Sequence, residues 1–343
     1  MAKLTEKENY LMCLRGEQPE WIPHESMDPS IKGPSAGIGP SIMMSKFDDE
    51  GRMWNIWGVE LITSAEAAGG RIPKTWDFLL DDVTKWRDVI KAPDLTGIDW
   101  EQMAKKDLER AAKYIDRENQ AVTYMASAGF FQDLMAFMGF TEGLCALFEE
   151  PEECEELFDY LCDFSVEVVK NTIDYYQPDI FGIGDDTDAW NNPFVSLDMM
   201  REFFVPRYCR LTDFAKERNI PVTLHNCGKC EIFIPDMVDV VGVTGWNPAQ
   251  NCNDLMALKE RFGNRLVLTG CINSSQTFEI PNITEEQIRE IVWDVANKYA
   301  PGGGFAFQVH FIIPDPTNEF MQWKKVTVNR IMDEVSHEFY KKN

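Results

Sequence analysis

Short runs of apolar and β-branched residues alternate along this chain with longer stretches whose apolar positions recur every three or four residues. The short runs predict eight strands, at Trp21–Met27, Gly58–Thr63, Ala121–Ser127, Asp179–Gly184, Ile220–His225, Val240–Trp246, Leu266–Cys271 and Gly304–His310. Helical patterns lie between most of them. In the clearest, Thr284–Tyr299, Thr284 and Gln287 form a capping-box pair, Ile288, Ile291, Val292 and Val295 share one face, and Gly302 follows the end. Another runs from a Ser196 cap through Met199, Met200, Phe203 and Phe204. Such alternation predicts parallel βαβ units with right-handed crossovers. Eight strands over this length predict a closed (β/α)8 TIM barrel, a single domain over residues 1–343 with an N-terminal helical extension. A doubly wound sheet is the alternative, but no glycine-rich phosphate turn follows the first strand.

A barrel places its chemistry at the C-terminal ends of its strands. Those ends carry His24 with Ser26 and Asp28, then Ser127, Asp185 and Asp186, His225 and Cys227, Trp246 and Asn247, Cys271, and His310. The remaining histidine, His337, falls on a C-terminal helix and is expected at the surface.

Charge narrows the partners. The chain has 57 acidic against 33 basic residues, a formal charge of −24, which repels phosphate backbones and anionic lipid. Nucleic-acid and membrane partners are therefore not expected. No run of 18 apolar residues occurs and the first residues form no signal-peptide pattern, so a cytoplasmic location is expected. Of the nine cysteines, Cys145, Cys154, Cys162 and Cys209 fall in helical patterns and are expected to act as small hydrophobes, as are Cys13 and Cys252.

Cys227, Cys230 and Cys271 differ, because each sits at or just past a strand end. His225 and Cys227 are two apart, so a strand would point both side chains to one face, and imidazole with thiolate suits Zn²⁺. The metal candidates are His225, Cys227, Cys230 and Cys271, with Cys230 able to replace Cys227 and with Glu202, held in reserve, or an aspartate as an oxygen ligand. The bland alternative is a pair of core thiols and a histidine bonded to a backbone carbonyl. Asp185 and Asp186 suit acid–base work, or cation and hydroxyl binding, weighed against an ordinary loop or capping role, which suits Asp188 well. His310 is a candidate for substrate contact, proton relay or metal ligation, weighed against a buried, hydrogen-bonded histidine. His24, Phe130, Trp246 and Asn247 are candidates for binding substrate, weighed against ordinary burial of the aromatics.

Several of these segments together resemble the uroporphyrinogen decarboxylase superfamily. They are Arg15–Pro23, Gly139–Gly143 with Glu150–Glu152, Phe181–Asp186, Met200–Pro206 and Leu224–Gly228. The resemblance spans most of the chain and implies a (β/α)8 barrel. Decarboxylase members carry an arginine-rich turn for the porphyrinogen carboxylates, whereas here Pro23 is followed by His24-Glu25-Ser26-Met27-Asp28. The corrinoid-dependent methyltransferases of the superfamily carry a His-x-Cys zinc motif plus a later cysteine, and His225 and Cys227 match that motif. In the branch that methylates coenzyme M the later cysteine lies near the last strand, where this chain has His310 and no cysteine. Aromatic O-demethylase methyltransferases resemble an arrangement of one acid and two cysteines, which Glu202, Cys230 and Cys271 could supply.

The resemblance thus implies an enzyme that moves a methyl group between a small methylated substrate, such as a methoxylated aromatic, and the cobalt of a corrinoid. No Asp-x-His-x-x-Gly motif occurs, so the corrinoid is expected on a separate partner protein. A uroporphyrinogen-type decarboxylase, a methylcorrinoid:thiol methyltransferase and a non-catalytic corrinoid-protein chaperone are the alternatives.

Overall fold

In the computed structural model, which describes residues 4–26, 32–64, 70–272, 277, 278, 280–309, 311 and 317–342, seven parallel strands run in sequential order across one sheet. They are β1 (Ser35–Ile38), β6 (Ala121–Ser127), β7 (Ile180–Gly184), β8 (Val222–His225), β9 (Val243–Ala249), β10 (Val267–Gly270) and β11 (Phe305–Ala306). Between β1 and β6 a separate antiparallel sheet is inserted, made of β2 (Lys46–Phe47), β3 (Met53–Trp54), β4 (Glu60–Thr63) and β5 (Arg71–Pro73). Parallel neighbours need crossovers, and helices supply them: Pro151–Tyr176 between β6 and β7, Val205–Glu217 between β7 and β8, and Glu285–Tyr299 between β10 and β11. The last of these starts on the expected capping box, with Thr284 and Gln287 each bonding the other's backbone. Ser196 likewise caps its short helix by accepting from the Met199 N–H.

The α/β class and parallel sheet agree with the sequence expectation; among the described residues the named strands form a seven-stranded half-barrel ladder. The predicted strand Trp21–Met27 contributes one parallel bridge, His24 to Phe307, beside β11. The predicted strand Gly58–Thr63 is β4, part of the inserted antiparallel sheet. Its place in the parallel ladder is taken by β1, whose Ser-Ala-Gly-Ile has too few bulky residues to signal a strand.

One end of the sheet is plugged. The helix Glu6–Leu14 puts Tyr10, Leu11, Cys13 and Leu14 against Ala121, Ile180, Val267 and Ala306, residues at the starts of β6, β7 and β10 and in β11. The N-terminal helix therefore seals the N-terminal ends and leaves the C-terminal ends for chemistry. Leu14 packs so tightly on β9 that a side-chain carbon at Gly245 would lie 2.8 Å from its Cδ2. Leu14→Ala should cost about 2–5 kcal/mol by leaving a cavity there. Calorimetry should show a clearly lower melting temperature; an unchanged one would mean the plug is not packed as described.

Candidate metal centre

Parallel register builds the centre. Gly184, His225 and Asn247 are paired across β7, β8 and β9, so their side-chain positions lie in one row on one face of the sheet. Glycine at the first position leaves His225 room, and Asn247 at the third supplies a partner. The His225 Nδ1 lies 2.8 Å from Asn247 Oδ1. An amide oxygen only accepts, so Nδ1 carries the proton and Nε2 presents its lone pair.

That lone pair faces two other donors. Cys227 Sγ lies 3.8 Å from His225 Nε2, and Asp186 Oδ1 lies 3.9 Å from it. The three ligand atoms all fall within 4.8 Å of one another, and each residue is partly exposed. A tetrahedral zinc with ordinary bond lengths puts N and S, or N and O, about 3.3–3.6 Å apart. The two distances from His225 Nε2 are thus a few tenths of an ångström wider than in a closed coordination shell. Burial first, then the Asp186 carboxylate, push the Cys227 thiol up to about 12. A divalent cation among these donors would reverse that balance by offsetting the charge on both sulfur and carboxylate. The donor set fits zinc.

Two loops hold the cluster. Asp186 Oδ1 accepts from the Cys227 N–H at 2.9 Å, and its other oxygen accepts from Gln132 Nε2 at 3.3 Å. Asn226 is buried and ties the loops again through Thr187, its Oδ1 accepting from the Thr187 N–H. Gly228 lets them meet: its φ is +93°, and a Cβ there would lie 2.7 Å from the carbonyl oxygens of Asp188 and Ala189.

The other predicted site residues are distributed as follows. Asp185 is buried, and its carboxylate accepts from the backbone N–H groups of Phe131 and Gln132 and from the Tyr208 hydroxyl. It caps the helix Phe130–Met138 from across the sheet, and burial raises it to about 7. Phe130 stacks on Tyr208 in the core, and Trp246 is fully buried with its N–H on the Asn226 carbonyl, so both are packing residues and not pocket walls. His24 turns toward the C-terminal helix Glu319–Lys342, its Nε2 3.2 Å from Asn329 Oδ1, and burial lowers it to about 4. Cys230 is buried with its thiol on the Asn226 carbonyl, and Cys271 is buried with Lys259 and Lys298 as charged neighbours. Neither joins the cluster, nor does Glu202, which is exposed on a helix. His310 and Asp28 lie outside the described residues.

Asp186, expected for acid–base work or cation binding, lies with the candidate ligands His225 and Cys227. Asn247, expected on substrate, bonds His225 through its Oδ1. Gln132 and Gln250 went unnoticed, because nothing local in sequence marks a side chain that bonds a loop from another strand. Gln250 accepts from the Gly228 N–H at 2.6 Å.

A polar cluster at the C-terminal edge of a parallel sheet is the arrangement of α/β-barrel enzymes. The chain belongs to the uroporphyrinogen decarboxylase (URO-D) family, whose sequence model matches residues 91–319, more than half of its length. No curated protein matches it. Among solved structures, an uronate isomerase from Bacillus halodurans matches over 69% of this chain at 14% identity and a TM-score of 0.31; this chain spans 64% of that one. Among the described residues no helix is long and apolar enough to cross a membrane.

Two outcomes test this geometry. Gly228→Ala forces a left-handed backbone and a backbone clash together, so it should destabilise by more than about 1 kcal/mol and pull Cys227 from Asp186. A variant that melts like the parent would refute that arrangement. The second concerns Asp133, which burial, and then the Asp185 charge, raise to about 8. The folded state therefore binds this proton more tightly than the unfolded chain does. Its contribution to stability is complete below about pH 4 and is lost as pH rises through about 8. Asp133→Asn should flatten the fall in melting temperature between pH 6 and pH 9; an unaltered slope would mean Asp133 titrates normally.

Proposed function

We propose that the protein is a zinc-dependent methyltransferase that takes the methyl group of a small methoxylated aromatic and passes it to the cobalt of a separate corrinoid protein. The observation that carries this reading is the convergence of Asp186, His225 and Cys227 at the C-terminal ends of adjacent parallel strands. Zinc held by these three residues would supply a Lewis acid toward the ether oxygen as that oxygen takes up negative charge. Three protein donors leave one position for substrate. Asn247 fixes the His225 tautomer, and Gln132 with the Cys227 N–H fixes the Asp186 carboxylate, so the donors are oriented before anything binds. In the transfer the methyl–oxygen bond breaks, its electron pair stays on oxygen, and the carbon goes to reduced cobalt. The ligand set differs from the expected one, with Asp186 in place of Cys230 and Cys271.

Family membership favours a second reading, decarboxylation of a polycarboxylate, in which the Asp185–Asp186 pair would stabilise a protonated ring. Against it stands the acidic balance of the chain, 57 acidic against 33 basic residues, and an acid within the cluster itself.

Elemental analysis of protein purified without added metal should find about one zinc per chain. Asp186→Asn, His225→Ala and Cys227→Ser should lose it, Asn247→Leu should weaken it by about 10–100-fold, and Cys230→Ser and Cys271→Ser should keep it. With a reduced corrinoid protein and 2-methoxyphenol, the parent should form methylated cobalt and the zinc-free variants should not. Zinc retained in Cys227→Ser, or transfer without zinc, would overturn the reading.

A further inference from the structure

Past the C-terminal end of β1 the sheet has a gap. The register pairs Ile38 with Tyr124, so β6 continues through Met125 and Ala126 with no β1 partner. Beside that gap lies a cavity of about 350 Å³ lined by Gly39, Pro40, Met43, Asn55, Ile56, Trp57, Tyr124, Met125, Ala126 and Asp133. A hollow of about 150 Å³ holds a benzene ring, so this one accommodates a substituted ring with space left over. Its walls are apolar and aromatic, and its described lining includes no lysine or arginine.

The roof is the turn between β3 and β4. Asn55 Oδ1 accepts from the backbone N–H groups of Trp57 and Val59, and this Asx turn drives the Trp57 indole inward onto Phe164. The Trp57 N–H is buried and lacks a partner with hydrogen-bond geometry. Asp133 is the acceptor beside it, near enough that the indole opposes the rise of its carboxyl. A buried donor left without a full bond is costly, and a carboxyl shared between that donor and a ligand would satisfy it.

The cavity also adjoins the metal centre. Met125 lines it, and the same side chain lies over β7, where a carbon on Gly184 would sit 3.7 Å from Met125 Sδ and 3.5 Å from His225 Cβ. One methionine therefore separates the hollow from the row that holds His225.

We infer that this cavity binds an uncharged single-ring aromatic and that Asp133 hydrogen-bonds an oxygen on it, with Trp57 behind Asp133 as a positioning residue. The methoxy group of that ring rests on the proposed methyl transfer; the cavity and Asp133 do not. At neutral pH the raised Asp133 carries its proton, so its carbonyl oxygen can take the Trp57 N–H while its O–H donates to the ligand. An anionic ring gains nothing from a pocket without a cation.

Calorimetric titration of the zinc-loaded full chain with 2-methoxyphenol, without corrinoid protein, tests this. Asp133→Leu should weaken binding about tenfold and Asp133→Asn, which keeps a donor, by less than about threefold. Ile56→Trp should abolish binding by filling the hollow, and melting curves check that each variant is folded. No binding by the parent at millimolar ligand, or equal binding by folded Asp133→Leu or Ile56→Trp, would overturn the assignment. The expected binding pattern without methyl transfer would support the cavity and overturn only the catalytic reading.

Discussion

The row Gly184–His225–Asn247, set by parallel pairing of β7, β8 and β9, is the constraint on which the candidate centre depends. A slip of one residue in any of these strands would turn its member of the row to the other face. The histidine would then lose both the space over Gly184 and the amide that fixes its proton. Cys227 and Asp186 are not in the row, but the backbone N–H of one bonds the carboxylate of the other across neighbouring loops. Strand register thus positions one donor, and loop-to-loop bonding positions the other two. Gly228 is where the loops touch, which explains why a residue with no side chain sits in the middle of the richest motif of the chain.

Three carboxyl groups extend inward from that centre, and their environments separate their roles. Asp186 is partly exposed and takes hydrogen bonds from Cys227 and Gln132. Asp185 is buried and spends both oxygens on Tyr208 and the start of the helix Phe130–Met138. Asp133, on that helix, has burial and the Asp185 charge against its ionisation. Three neighbouring anions would repel one another strongly in so acidic a chain. Keeping Asp133 protonated removes one of these charges from the interior. Asp185 also fastens the helix that carries Gln132 and Asp133 to the strand that carries Asp186, so cavity and centre are held by the same element.

Much of this was legible in the chain. The strands at 121–127 and near 180, 222, 243, 267 and 305 announce themselves through apolar, β-branched runs, and His225 with Cys227 through spacing alone. Three kinds of feature were not legible. β1 is four residues, three of them small, whose pairing with β6 is a tertiary fact. The strand at 60–63 alternates like any other, and nothing local says that its partners are antiparallel. The thiols at 230 and 271 have the right chemistry at strand ends, but the chain turns each away, Cys230 onto the Asn226 carbonyl and Cys271 beside Lys259. Direction at a strand end depends on the backbone after the last paired residue, and Cys271 adopts a φ of +60° there.

The same mouth could in principle serve a decarboxylase or a methyltransferase, and the sign of its charge separates them. A polycarboxylate needs cations to repay the desolvation of its acids. The cluster at the strand ends is made of an acid, a thiol and an imidazole, and the adjoining hollow is lined by methionine, aromatic and aliphatic groups around one carboxyl. A divalent cation satisfies the first set, and an uncharged ring satisfies the second. An aryl methyl ether is the small molecule that presents a ring to the one and an ether oxygen to the other. On the proposed reading, breaking its methyl–oxygen bond needs help for the developing oxyanion, and a zinc ion held by Asp186, His225 and Cys227 would give that help.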